Sequence, residues 1–123
     1  MEPNLRLVSL KVEDIQRMRN FYEELLNPDL HEEESDRLIE YDFGGVLFGL
    51  YNPEVDFDDS KKIMRGDNCV PGFKVGKDFD KYRKKVEDES EAEVLYESEK
   101  AGHKWLVFKD PEGNRVEFYR GSI

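Results

Sequence analysis

An α+β fold made of two βαβββ modules is the architecture this sequence predicts, and three observations predict it. Periodicities in the first half run strand, amphipathic helix, then three short strands. The second half repeats that order at weak identity. The chain then finishes in two strand-forming runs, Trp105-Leu106-Val107-Phe108 and Val116-Glu117-Phe118-Tyr119, joined by Asp110-Pro111-Glu112-Gly113-Asn114, whose Pro, Gly and Asn residues favour a tight turn.

Leu5 to Val12 alternates as a strand, with Val8, Leu10 and Val12 on one face and Leu7, Ser9 and Lys11 on the other. Ile15, Met18, Tyr22, Leu25 and Leu26 then recur at helical spacing, Asp14 is the expected N-cap, and Asn27-Pro28 ends the run. Short strands follow near Leu30 to Glu33, Arg37 to Asp42 and Val46 to Tyr51, with turns at Ser35-Asp36 and Gly44-Gly45. Residues 52–68 are polar, acidic and aperiodic and read as a linker. Beyond it a strand is expected over Cys69 to Val75, then a helix carrying Phe79, Tyr82 and Val86 on one side. Further strands are expected near Glu93 to Tyr96, Lys104 to Lys109 and Arg115 to Tyr119. Leu10-Lys11-Val12 corresponds to Phe73-Lys74-Val75, and Ile15, Met18 and Arg19 to Phe79, Tyr82 and Arg83 after a one-residue shift. The organisation expected is a single domain over 1–123, with module one at about 4–51, a linker at about 52–68 and module two at about 69–123.

At 123 residues the chain has the size of one domain, and chains of this length bury roughly two thirds of their unfolded surface. Its formal net charge is -10, which argues against nucleic acid as a partner, because a phosphate backbone is held by clustered Lys and Arg. A cationic small molecule would gain from that field, although an acidic surface also serves solubility alone. Cys69 is the only cysteine, so neither an intrachain disulfide nor a cysteine zinc cluster is expected. With no signal-like N-terminus and no apolar run of spanning length, a cytoplasmic protein without membrane contact is expected.

Phe108-x-Asp110-Pro111-x-Gly113-Asn114-x-x-Glu117-Phe118 resembles the closing motif of the glyoxalase, bleomycin-resistance and extradiol-dioxygenase superfamily, the vicinal oxygen chelate proteins. Near the start, Leu7 to Ile15 leading into Phe21-Tyr22-Glu23-Glu24-Leu25-Leu26 is similar to that family's opening strand and helix. The two matches bracket nearly the whole chain. The resemblance implies two βαβββ modules forming a curved mixed sheet around a cavity, and a homodimer. A ferredoxin-like or other α+β domain is the competing architecture.

The resemblance also implies where a divalent metal would be held, by a His early on the first strand of each module and by a carboxylate on the last strand. Those positions fall here on Leu7, on or next to Val70, on Phe48 or Gly49, and on Glu117. Only Glu117 supplies a metal donor, and one carboxylate is too few for a catalytic divalent ion. Metal-dependent catalysis is therefore disfavoured, and no cofactor is expected; the alternative is a divalent ion with Glu117 as one ligand and a second chain lending His31 or His103.

If Glu117 faces the cavity, alternation sends Arg115 and Tyr119 the same way and Val116 and Phe118 toward the helix. The family's facing adds His103, Trp105 and Val107 from the neighbouring strand, Leu7, Ser9 and Lys11 from the first strand, and Val70, Gly72 and Lys74 from its repeat. Glu117, Trp105, His103, Tyr119, Phe48, Ser9 and Lys11 are thus the candidate ligand-binding residues. Plainer readings stand beside them: Trp105 as core, His103 and His31 as solvated surface, and Glu117 paired with Lys11, Lys74 or Arg115. An unpaired buried Glu117 would instead be driven toward its neutral form and act as an acid or base. No phosphate loop or nucleophile elbow is present. Three functions compete: a metal-free binder of a small organic molecule, a metal-dependent lyase, isomerase or dioxygenase, and an interaction module whose cavity is closed by Trp105 and Phe48.

Overall fold

The computed structural model describes residues 3–52 and 69–121, and the 52–68 linker, apart from Asn52, lies outside them. The chain forms two compact units, Met1–Met64 and Arg65–Ile123, called here module one and module two.

Module one is built as β1 (Leu7–Lys11), α1 (Ile15–Leu26), β2 (Asp29–Glu34), β3 (Leu38–Phe43) and β4 (Val46–Tyr51). Asp14 caps α1 by accepting from the Arg17 backbone N–H at 3.0 Å, and Asn27 closes it in the left-handed conformation at φ 45°. The sheet runs β1-β4-β3-β2, with β1 and β4 parallel and the other pairs antiparallel. Leu10, Val12, Ile39, Tyr41, Phe48 and Leu50 bury one sheet face under the apolar stripe of α1, whose Met18, Tyr22 and Leu25 are closed off from solvent.

Module two repeats this plan with β5 (Gly72–Lys74), α2 (Phe79–Asp88), β6 (Glu93–Lys100), β7 (His103–Lys109) and β8 (Arg115–Arg120), in the sheet order β5-β8-β7-β6. β5 is shorter than the expected Cys69 to Val75, because Pro71 has no N–H to donate and Cys69 and Val70 lie outside the ladder. A 3₁₀ turn over Gly76–Asp78 holds the extra residue ahead of α2, which accounts for the one-residue shift between the helices. β6 runs to Lys100, well past the expected Tyr96. A strand at the end of a sheet pairs through its backbone, so Glu97 to Lys100 need no apolar alternation. Phe79, Val86, Leu106, Phe108, Val116 and Phe118 form this module's core.

The internal repeat extends to side chains. Arg19 of α1 binds Glu33 of β2 at 2.5 Å and Glu23 at 2.8 Å, while Arg83 of α2 binds Glu97 of β6 at 3.2 Å and approaches Glu87 at 3.9 Å. Each arginine thus ties its helix to the end strand of its own sheet, and Glu33 and Glu97 occupy the same register position, opposite Ile39 and Leu106. In module one the Tyr41 hydroxyl also donates to Glu23 at 2.8 Å. Burial, with Glu23 beside it, pushes the phenol far above the ordinary tyrosine range. Both end strands carry a bulge at the matching place, between Leu30 and Glu32 in β2 and between Val94 and Tyr96 in β6.

Candidate functional site

The hairpin β7–β8 sets the site. Asp110 holds the connection closed by accepting from the Glu112 and Asn114 backbone N–H groups, each at 2.9 Å, and is itself buried. Antiparallel register then puts Trp105 directly opposite Tyr119 and Val107 opposite Glu117. Phe108, Val116 and Phe118 turn to the helix side, where Phe118 packs its ring against Tyr82 and Phe108. Trp105, Glu117 and Tyr119 therefore share the open face, and His103 joins them from the start of β7. At that end Ala101 and Gly102 form the two-residue link from β6 with positive φ at both positions, 53° and 83°, the geometry that lets a tight hairpin follow the twist of its strands.

These four residues line one cavity of about 400 Å³, together with Lys100, Ala101, Lys104 and Arg120. Its wall is mainly apolar, supplied by the Trp105 and Tyr119 rings. The volume falls within the roughly 300–1,000 Å³ of small-molecule sites.

Glu117 stands beside β5, and Gly72 makes that possible. A Cβ added at Gly72 would sit 3.2 Å from the Glu117 Oε2 and 3.6 Å from the Tyr119 ring, so a side chain there would press on the carboxylate. The Glu117 carboxylate has no hydrogen-bond or ion-pair partner among the described residues, and burial pushes it above the usual carboxylate range. Within module two, neither Lys74 nor Arg115 pairs with it. The His103 Nδ1 also has no hydrogen-bond partner among the described residues, but it is buried against Gly121, where an added Cβ would collide with it, and is not presented to the cavity.

Structural comparison identifies the scaffold. A glyoxalase/bleomycin resistance protein/dioxygenase family enzyme from Burkholderia phytofirmans PsJN superposes with a TM-score of 0.78 at 20% identity, over 96% of this chain and 98% of the other. A glyoxalase-related enzyme from Fulvimarina pelagi gives 0.77 at 14% identity, over 96% and 88%. The fosfomycin resistance protein FosX from Listeria monocytogenes gives 0.78 at 14%, over 100% and 97%. This is the vicinal oxygen chelate fold. No protein-family model matches the sequence, and no curated protein matches it.

Within the vicinal oxygen chelate fold, the expected metal positions can be tested on the side chains present. β1 pairs Ser9 with Gly49 as β5 pairs Gly72 with Glu117, so the carboxylate position of module one is Gly49 and not Phe48. Leu7 and Val70 are hydrocarbon, Gly49 has no side chain, and Glu117 remains the one donor of the four. This set does not fit a divalent ion. Among the described residues no three His, Cys, Asp or Glu side chains gather where they would hold one.

The assignment of Phe48 to the site is corrected. Phe48 is buried on the helix side, 3% exposed, with its ring 5.1 Å from that of Tyr22. A residue neighbouring Gly49 on the same strand must face the opposite way, and a large apolar ring is stabilised under the helix. Ser9 and Lys11 lie on the open face of module one's sheet and do not line this cavity. Lys100, Lys104 and Arg120, which do line it, were not expected. Their sequence signal was the Lys100-Ala101-Gly102-His103 hairpin turn, which places a lysine and a histidine on adjoining strand ends.

Proposed function

We propose that this chain binds a small organic molecule in the module-two cavity, without a resident catalytic metal. The observation that carries the reading is an aromatic-walled cavity that contains a polar group with no partner among the described residues, the Glu117 carboxyl. Unpaired buried polar groups cost native stability, and a ligand that hydrogen-bonds to them recovers that loss as affinity. Trp105 and Tyr119 offer faces for stacking, and their cross-strand alignment keeps the two rings together. The Glu117 carboxyl, pushed above the usual carboxylate range by burial, accepts a hydrogen bond from a ligand donor and gives one when protonated. The open cavity at Trp105 and the placement of Phe48 in the core both weigh against an interaction module closed by its own side chains.

The glyoxalase-type and fosfomycin-resistance relatives share the scaffold, and one scaffold supports many functions. In this chain Leu7, Gly49 and Val70 offer no metal donor, which leaves Glu117 to act through hydrogen bonding. A homodimer is part of the proposal. Native mass spectrometry of protein purified without chelators, beside Glu117→Gln, tests all of it. The expected result is a metal-free dimer, with any carried-over organic ligand reduced in the variant. Stoichiometric metal that disappears in Glu117→Gln would sink the reading and direct attention to chelating substrates.

A further inference from the structure

The chain carries a net charge of -10, yet the cavity is rimmed by cations. Of the three basic residues lining it, Lys104 is already offset, its Nζ 3.8 Å from Asp80 and 3.7 Å from Glu99. Lys100 and Arg120 form no ion pair or side-chain hydrogen bond with any described residue. Arg120 pairs with Lys104, whose Nζ lies over Phe79, and so leaves β8 on the helix side, whereas Lys100 stands at the end of β6 opposite His103 and shares its face. Register places Lys74, Lys109 and Arg115 on the same face of the sheet, against Glu93 and Glu117 as its acids. At physiological ionic strength charges are screened over about 8 Å, so a bound molecule responds to these neighbours far more than to acids elsewhere on the chain. The field that decides the ligand is thus the opposite of the one net charge implies.

We propose that the molecule taken by this cavity is a planar organic acid, its ring against Trp105 and Tyr119 and its anionic group at the mouth beside Lys100. The proposal rests on the small-molecule reading above. The ring supplies burial, and Lys100 supplies a charge-assisted hydrogen bond. Glu117 bonds to a polar substituent at the inner end.

The test compares 2-naphthoate, 2-naphthamide and 2-naphthylmethylammonium, which share one ring system and differ in charge. Binding is followed by the indole N–H resonance of Trp105, the chain's only tryptophan, in wild type, Lys100→Gln and Arg120→Gln. Naphthoate is expected to bind about tenfold tighter than the other two, and Lys100→Gln to shrink that preference severalfold while Arg120→Gln, on the helix side, leaves it in place. Equal binding of the amide, or tighter binding of the ammonium, overturns the acid assignment and leaves the cavity reading in place. A naphthoate preference that survives Lys100→Gln, or that is lost in Arg120→Gln instead, overturns the role of Lys100. No movement of the Trp105 resonance with any probe at millimolar concentration overturns this proposal and the small-molecule reading together.

Discussion

Ser9 of β1 faces Gly49 of β4 in module one, whereas in module two it is Gly72 of β5 that faces Glu117 of β8. Each pair contains one glycine, and the side chain that fills the space comes from opposite strands. A Cβ on Gly49 would lie 2.9 Å from the Ser9 Oγ, just as one on Gly72 would meet Glu117. Charge diverges in the same way. Register gathers Asp29, Glu32, Glu34, Glu40 and Asp42 on the open face of module one with Lys11 as its base, while the corresponding face of module two is predominantly basic. The helix sides hardly differ: both have an apolar core and an arginine tied to the end strand. A repeated scaffold has kept its packing and changed its open faces, and the changed faces are where function should be sought.

The comparison breaks most directly at Phe48. If the helix side is shared structure, Phe48→Ala costs about 3–5 kcal/mol of stability in urea denaturation and leaves naphthoate affinity at Trp105 unchanged. Loss of affinity with stability intact would return Phe48 to the ligand.

A smaller difference should separate the two arginines. Arg19 is the more enclosed, with its side chain 16% exposed against 35% for Arg83. Burial works to lower its pKa, but hydrogen bonds to Glu33 and Glu23 prevail and hold it above the ordinary value. Arg19→Gln leaves the part-buried Tyr41–Glu23 bond with an uncompensated carboxylate that solvent partly screens, and should cost about 1–2 kcal/mol. Arg83→Gln should cost about 0.2–1 kcal/mol. Equal losses in chemical denaturation would show that the two links are equivalent.

The smallest effect is a pH dependence found at Glu117 and impossible at Gly49. Burial raises the native carboxyl above its unfolded value, so ionisation is less favourable in the folded chain. Its contribution to stability is fully present below the unfolded value and is lost as pH rises through the raised native one. Glu117→Gln should therefore melt a few degrees above wild type at neutral pH, with the gain disappearing in acid. A variant that melts lower at neutral pH would reveal a carboxylate stabilised by a partner.

Much of the scaffold was legible in the sequence, because helical and strand periodicities, the Asp14 cap and the Pro-Glu-Gly-Asn turn act locally. The facing of Glu117 with Trp105, His103 and Tyr119 was legible as well, since alternation along β7 and β8 follows once the turn is recognised. Phe48 was not resolved from Gly49, because Val46 to Tyr51 is an almost unbroken apolar run and gives no alternation to read. The basic mouth was hidden for another reason. Lys100 ends a polar stretch of β6 that looks like loop until its backbone is seen to pair with β7, which sets it opposite His103.

The matched bulges in β2 and β6 bear on how this protein behaves in concentrated solution. An end strand offers a row of unpaired backbone groups on which another chain can grow, and an added strand must keep step with it to bond continuously. The bulge shifts that step beside Leu30 in one sheet and beside Val94 and Tyr96 in the other, residues among the most exposed apolar side chains described. An incoming strand that pairs on one side of the bulge falls out of register on the other. The stickiest stretches of both outer strands therefore make poor templates for a growing fibril.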